Sequence, residues 1–332
     1  MKKIIIIAVL FLFEITSYAQ LSQADFNRIY ELNLGNNPKN ADDAIAQFET
    51  KFPNDARVIF LRGMYQYHDG DENGAMRSYS NAIKTNPKFG YAFLQRSYIF
   101  DKKGLYDKAI DDISEYIKLN SQSKQGFELR AGLYYKTENY QAALNDFKSI
   151  IAIKPANAVV YMDVANTYAK LNQAQNGKTF LDNAFAIKGI DLDVLNIVYG
   201  QFLLNQGEFA NAKQKYSAAF VKGSSKFESD DFSNFSVCAY KTNDLENGII
   251  YIKKAIALNP KNMDYRCSLA SFYKDKNEFA NIIQAMQEAL LINDNHPMAN
   301  MYMGFALIQT GNQTEGQRYQ DKAKRLDAEQ NK

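Results

Sequence analysis

Residues 124–157 read KQGFELRAGLYYKTENYQAALNDFKSIIAIKPAN, and this stretch decides the fold. Phe127, Tyr134 and Phe147 lie at helical spacing in two segments that polar residues separate. Pro155 closes the second segment, because proline lacks the backbone N–H that a helix interior needs. The stretch therefore predicts two short amphipathic helices joined by a turn.

The same pattern recurs in eight units along the chain. Counted from the first residue of each unit, position eight is glycine, alanine or serine in all eight units. Position twenty is small in seven units, and position twenty-seven is alanine in six. Antiparallel helices approach closely only where neither carries a bulky side chain, so these positions predict paired helices. The units follow at steps of 34, 34, 34, 35, 36, 34 and 34 residues and begin at Ala56, Gly90, Lys124, Ala158, Asp193, Ser229, Met263 and Pro297.

This pattern resembles the tetratricopeptide repeat (TPR) family, whose units share the period, the small residues and the late proline. The resemblance covers about residues 22–328 and implies an all-α, right-handed superhelical solenoid of about nine helix–turn–helix units. The chain departs from the family by lacking tryptophan at position four. Sel1-like repeats are usually a little longer, and the near-zero charge argues against RNA-binding pentatricopeptide arrays. Position four is occupied by Ile59, Phe93, Phe127 and Tyr161 in four successive units.

Residues 1–19 have the pattern of a secretory signal peptide. Lys2 and Lys3 precede a ten-residue apolar run, and small residues precede Gln20. No cysteine occurs before Cys238, which excludes N-terminal lipidation. The sequence therefore predicts a periplasmic or secreted protein that is not a lipoprotein.

The mature chain divides into segments of unequal regularity. Residues 20–55 predict a degenerate N-terminal capping helix pair, with helices at about 24–34 and 40–51. TPR units are expected over 56–222 and over 232–328, where the last helix caps the array, and 329–332 form a tail. Between these blocks, residues 223–231 are rich in glycine and serine, which favours either a hinge or a longer loop between stacked repeats.

Composition and motifs indicate no enzyme, cofactor or nucleic-acid partner. The chain carries 39 Lys and Arg against 37 Asp and Glu, without the basic stripe of a nucleic-acid-binding protein. It has two histidines, His68 and His296, and neither has a partner at metal-ligand spacing. No glycine-rich phosphate loop, nucleophile elbow or paired-cysteine motif occurs.

Two local features could carry chemistry. The run at 68–72, HDGDE, suggests an oxygen-ligand metal loop, but it lacks the ligands that calcium needs. It is better interpreted as a turn in which Asp71 or Asn73 caps the second helix. Cys238 and Cys267 could form a disulfide in an exported protein, but they lie about 7.5 Å apart along neighbouring helices, so two buried thiols are favoured.

The resemblance implies a partner-binding groove formed by positions two, five, nine, twelve and thirteen of each unit. Its expected ligand is a protein or an extended peptide of unknown identity. Tyrosines there offer flat contact area at low entropic cost. The carboxylate clamp of chaperone-binding TPR proteins is not found at positions five and nine. The candidate groove residues are Arg57, Tyr67, Tyr91, Tyr98, Lys102, Tyr135, Lys136, Asn166, Lys170, Tyr240 and Lys241.

Lys102, Lys136 and Lys170 share position thirteen in consecutive units. They could form a basic ladder for an acidic peptide. Alternatively, each is a cation in the last turn of a helix, where the helix dipole favours positive charge without any ligand.

These features support three hypotheses. The first is an exported non-enzymatic scaffold that binds a protein or peptide, in the assembly of the cell envelope. The second is a glycan or small-molecule binder with Tyr67, Tyr98 and Tyr135 as stacking platforms. The third, an undetected hydrolase, lacks any catalytic constellation.

Overall fold

The computed structural model describes residues 21–34, 38–155, 157–220 and 227–330. Within these ranges every regular element is an α-helix, and the helices follow one another as antiparallel pairs. The all-α repeat fold predicted from the sequence is confirmed. The signal sequence and residues 223–226 of the glycine- and serine-rich segment lie outside the described residues, so export and the hinge stay predictions. The helices are α1 (Gln23–Leu34), α2 (Pro38–Lys51), α3 (Ala56–His68), α4 (Glu72–Thr85), α5 (Gly90–Lys102), α6 (Tyr106–Leu119), α7 (Lys124–Lys136), α8 (Tyr140–Ile153), α9 (Ala158–Lys170), α10 (Ala174–Ala184), α11 (Leu192–Asn205), α12 (Phe209–Phe220), α13 (Ser229–Lys241), α14 (Leu245–Leu258), α15 (Met263–Asp275), α16 (Phe279–Ile292), α17 (Pro297–Gln309) and α18 (Gln313–Gln330).

The chain forms two compact units, Met1–Asp146 and Phe147–Lys332. In the first unit, Phe60 and Tyr79 are buried in a core between the early helices. In the second, Phe202 and Tyr216 centre one cluster, and Met286 lies in another. In both units, the buried side chains come from the inward faces of successive helix pairs, as the helical spacing of the apolar residues predicts.

Small residues at positions eight and twenty lie where helices approach most closely. A Cβ atom built on Gly304 would lie 2.6 Å from the carbonyl oxygen of Gly316, and one on Gly316 would lie 2.8 Å from that of Gly304. A Cβ on Gly63 would lie 2.6 Å from the ring of Tyr79. Larger side chains would force the helices apart, which confirms the packing reason for these positions.

Position fifteen of every unit lies in the turn between the paired helices and adopts a left-handed backbone. Its φ angles range from 56° to 92°. Glycine and asparagine tolerate this region, and they occupy seven of the eight positions. The residues are Gly70, Gly104, Glu138, Asn172, Gly207, Asn243, Asn277 and Gly311.

Buried ion pairs hold helix pairs together in the first unit. Arg96 donates to both carboxylate oxygens of Asp112 at 2.8 and 2.7 Å, and to Ser80 of the preceding unit at 3.0 Å. Arg130 makes the same bidentate contact with Asp146 at 2.9 and 2.7 Å. Both arginines occupy position seven of their repeat and both aspartates occupy position twenty-three. The same ion pair therefore recurs in two successive repeats.

In the second compact unit, both positions carry apolar or aromatic side chains except for Lys215 at position twenty-three, which lies over the ring of Tyr199, 4.2 Å from its centroid. Position seven is Val164 in α9 and Phe235 in α13, and position twenty-three is Phe180 in α10 and Tyr251 in α14. The rings of Phe235 and Tyr251 lie 4.1 Å apart between their centroids. One repeat architecture therefore accepts either a bidentate ion pair or an apolar contact at this crossing.

The turn at 68–72 and both cysteines have structural roles. Asp71 accepts a hydrogen bond from the backbone N–H of Gly74 at 2.8 Å and caps α4, which confirms the capping interpretation.

Cys238 and Cys267 are free and buried, and burial raises the pKa of each thiol to about 12. Both thiols are therefore protonated at neutral pH.

Candidate functional site

All eleven candidate groove residues lie on the first helix of their unit, in α3, α5, α7, α9 or α13. Positions two, five, nine, twelve and thirteen of these helices form what is called here the first-helix surface. Their side chains differ widely in exposure and in contacts, and these differences separate packing residues from accessible ones.

Two lysines of the proposed ladder are paired with carboxylates of the preceding repeat. The ammonium of Lys102 donates to Glu72, and this hydrogen bond raises the pKa of Lys102 and lowers that of Glu72. Lys136 donates to both carboxylate oxygens of Asp101 at 2.6 and 2.8 Å. The sequence did not predict these ion pairs between neighbouring repeats. They neutralise positive charge that an acidic peptide would need for binding.

The two candidate lysines of the second compact unit, Lys170 and Lys241, differ from Lys102 and Lys136 in their contacts. Lys170 is exposed at the end of α9, and no ion pair among the described residues involves it. Lys241 lies over the ring of Phe209, 6.0 Å from its centroid. Asn166 is half-buried on α9.

The tyrosines divide into exposed and packed side chains. Tyr67 and Tyr91 expose 40% and 49% of their surface. Tyr98 accepts a hydrogen bond from Nε2 of Gln125 at 3.1 Å. Tyr135 packs edge-to-face against Tyr140, with centroids 5.2 Å apart. Tyr67 and Tyr91 are therefore the accessible aromatic groups of this set in the first unit.

Arg57 and Tyr240 serve local structure. The guanidinium and backbone N–H of Arg57 donate to Asp55, the N-cap of α3. Arg57 also lines a cavity of about 660 Å³ beside Phe52. Tyr240 packs against Phe272 at 5.3 Å, and a hydrogen bond to Asp275 raises its pKa.

A cavity of about 370 Å³ opens on the first-helix surface of the second unit. The sequence did not single out its residues, although five of the ten occupy position two, five or nine. The repeat numbering places these positions on the predicted groove. Residue type alone does not distinguish an aliphatic side chain that lines a groove from one that is buried in the core. This α9–α11 cavity is lined by Val159, Met162, Asp193, Val194, Ile197, Val198, Gln201, Phe227, Glu228 and Asp231.

The rim of the α9–α11 cavity is acidic. Asp193, Glu228 and Asp231 line it, and none of the described lining residues is lysine, arginine or histidine. Burial raises the pKa of Asp231, whose carboxylate accepts from the backbone N–H of Glu228 at 3.0 Å. The cavity thus combines aliphatic walls with an acidic rim in which the carboxylate of Asp231 is partly desolvated.

The part of the chain that the structure describes contains no group of three or more metal-ligating side chains. Among those same residues, no helix is both long and apolar enough to cross a bilayer.

Comparison with known proteins agrees with the helical-repeat architecture. The family model described as tetratricopeptide repeat matches residues 233–262. The C-terminal part of a TPR repeat-containing protein from Cytophaga hutchinsonii superposes with a TM-score of 0.55 at 15% identity, covering 74% of this chain and 99% of that one. The paired helices define a helical-repeat protein. The family model matches one of the repeats, and the eight units in phase with it are similar to tetratricopeptide repeats.

Curated relatives are more distant. A BBSome complex member BBS4 homolog from Drosophila melanogaster is 21% identical over 209 residues, which are 62% of this chain and 43% of that protein. Hsp70-Hsp90 organizing protein 1 from Glycine max is 21% identical over 164 residues, 49% of this chain and 28% of that protein. The chain spans less than half the length of these relatives.

Proposed function

We propose that this chain is an exported, non-enzymatic scaffold that binds a protein or extended peptide on its first-helix surface and serves assembly of the cell envelope. The observation that carries the proposal is the exposure of apolar groups at positions two and five. Tyr91 exposes 49% of its surface and Val159 48%, and Met298 and Met301 are also exposed. Exposed apolar groups at a shared repeat position support a binding surface.

The relatives support the same class of function. One is named as a member of a complex and another as an organizer of two chaperones. Both names describe association with other proteins. Export is supported by the pattern of residues 1–19.

Site-specific crosslinking in the native cell tests the binding surface. A photoreactive amino acid is placed at Tyr91 or Val159, and at Ile250 as a control. Ile250 is 51% exposed but lies on a second helix, α14. We expect protein adducts from the first two sites and few from Ile250. Equal adducts at all three sites, or none at Tyr91 and Val159, would contradict the proposal.

Cell fractionation with N-terminal sequencing tests export. We expect the mature chain outside the cytoplasm, beginning at Gln20. A cytoplasmic chain that retains Met1 or Lys2 would reject the exported location.

Glycan or small-molecule binding is the second candidate, and the exposure of Tyr67 favours it. Tyr98 and Tyr135 support it less, because one hydroxyl accepts from Gln125 and the other ring packs on Tyr140. Thermal-shift screening against defined oligosaccharides and peptides separates the candidates. Stabilisation by a sugar that disappears in Tyr67→Ala would favour the glycan candidate.

A further inference from the structure

We propose that the α9–α11 cavity receives an apolar side chain of a partner peptide that carries lysine or arginine next to it. This inference rests on the proposed function and specifies the chemistry of the partner. It differs from the sequence-based expectation of an acidic peptide on a lysine ladder.

The walls of the cavity favour an apolar side chain. Val159 and Met162 come from α9, and Val194 and Ile197 come from the next first helix, α11. Nearly half of the Val159 surface remains exposed. An apolar side chain placed between the two helices would remove this aliphatic surface from water.

The rim favours a cation beside that apolar group. Asp193, Glu228 and Asp231 take part in no ion pair among the described residues. Asp193 in α11 and Asp231 in α13 lie in the first turn of a helix, where the helix dipole favours a negatively charged side chain. Glu228 and Asp231 each accept a backbone hydrogen bond in the capping box of α13, and a lysine or arginine of the partner would add charge-assisted hydrogen bonds to these carboxylates.

The first unit has the opposite character. Its position-thirteen lysines, Lys102 and Lys136, already pair with Glu72 and Asp101. Binding an acidic peptide there would require exchange of existing ion pairs, whereas a basic peptide at the α9–α11 cavity adds pairs. Charge complementarity therefore favours a basic and apolar partner at this cavity.

Selection of peptides from a random phage-displayed library on the full mature protein tests the inference. We expect enrichment of peptides in which an aliphatic or aromatic residue is adjacent to lysine or arginine. A selected peptide is then synthesised with a fluorophore, and its Kd is measured by anisotropy at low and high salt. The affinity should fall as salt screens the carboxylates of the cavity rim.

Matched variants locate the binding site. We expect Asp193→Asn with Glu228→Gln to weaken the selected peptide about tenfold, which corresponds to roughly 1.4 kcal/mol. Val159→Gln should also weaken it. Asp264→Asn, a first-turn acid of α15, and Ile250→Gln, an apolar residue of matching exposure, should leave Kd unchanged. Circular dichroism melting of each variant verifies folding.

Two results would overturn the inference. One is selection of acidic peptides, and the other is a Kd that neither cavity variant changes. Either result leaves the proposed scaffold function standing, because crosslinking at Tyr91 and Val159 tests that function with native partners.

Discussion

In the turn inside each repeat, the positive φ angle at position fifteen limits which residue types can occupy that position. The chain supplies glycine or asparagine at seven of these eight positions, and Glu138 is the exception, with a φ of 57°. A glutamate side chain in the left-handed region costs about 1–2 kcal/mol, because its Cβ approaches the following carbonyl oxygen. The side chain of Glu138 is exposed, so the cost of its left-handed backbone dominates its contribution to the free energy of unfolding.

Glu138→Asn should therefore stabilise the protein by about 0.5–1 kcal/mol. Urea denaturation measures the change in the free energy of unfolding. The reciprocal variant, Gly207→Glu, should lose a similar amount, because Gly207 has a φ of 76° and open space around it. A neutral or opposite result for both variants would contradict the strain at this turn.

Asp55 is the residue at which pH should affect stability. Burial opposes its ionisation, but hydrogen bonds from Arg57 and from the backbone N–H of Leu21 hold its pKa below the ordinary value of 3.8. A lowered pKa in the folded state stabilises the fold above pH 3.8, and this contribution disappears as the pH falls through the lower folded value.

Asp55→Asn should reduce the free energy of unfolding at neutral pH by about 1–2 kcal/mol, the range for loss of an N-cap. The gap between the two proteins should narrow as the pH falls below 3.8 towards the lowered pKa of the folded carboxylate. Urea denaturation at neutral pH and below pH 3.8 gives the two differences. A gap that does not change with pH would show that the carboxylate charge contributes nothing.

At the scale of helix pairs, glycine has opposite effects at two kinds of position. Gly304→Ala should destabilise the protein by about 1–3 kcal/mol, because the new methyl group meets the backbone of α18. Gly132→Ala in α7 should stabilise it by about 0.5–1 kcal/mol, since no atom lies within 4 Å of its Cβ. Thermal unfolding of the two variants distinguishes the effect of steric contact between helices from the effect of intrinsic helix propensity. Equal shifts would refute the packing reason for position eight.

The pair Arg96 and Asp112 tests whether position seven needs an ion pair. Asp112→Ala should cost about 3 kcal/mol or more, because it leaves the guanidinium partly buried without its carboxylate. The double variant Arg96→Leu with Asp112→Ala installs the residues found at the same positions in α15 and α16, Leu269 and Ala285. It should be more stable than the single variant. Urea denaturation of the wild type, the single variants Asp112→Ala and Arg96→Leu, and the double variant completes the cycle.

At the scale of the whole molecule, each of the two compact units is held by contacts between consecutive helices, as in other repeat proteins. A local perturbation should therefore weaken its neighbours and fade with distance along the array. In Gly304→Ala, amide hydrogen exchange should accelerate in α17 and α18, less in α15 and α16, and not in α9 and α10. A uniform acceleration across the second unit would indicate that it unfolds as one cooperative body.

The sequence by itself determined the repeat and its helices. Small residues at positions eight and twenty, together with Pro155 after the second helix of its unit, predicted the packed pairs, because close contact and helix termination depend on residue type and spacing. The recurring glycine and asparagine at position fifteen, which the structure places in left-handed turns, follow the same dependence on residue type. A fixed period makes such signals strong, since each unit repeats the same physical requirement.

Only the tertiary structure decided which groove residues are available. Lys102 finds its partner Glu72 thirty residues earlier, and Lys136 finds Asp101 thirty-five residues earlier, through stacking of adjacent repeats. The α9–α11 cavity likewise joins Val159 of one unit with Ile197 of the next. Ion pairs and cavity shape depend on which side chains of neighbouring repeats come into contact. Residue spacing within one repeat does not specify those contacts.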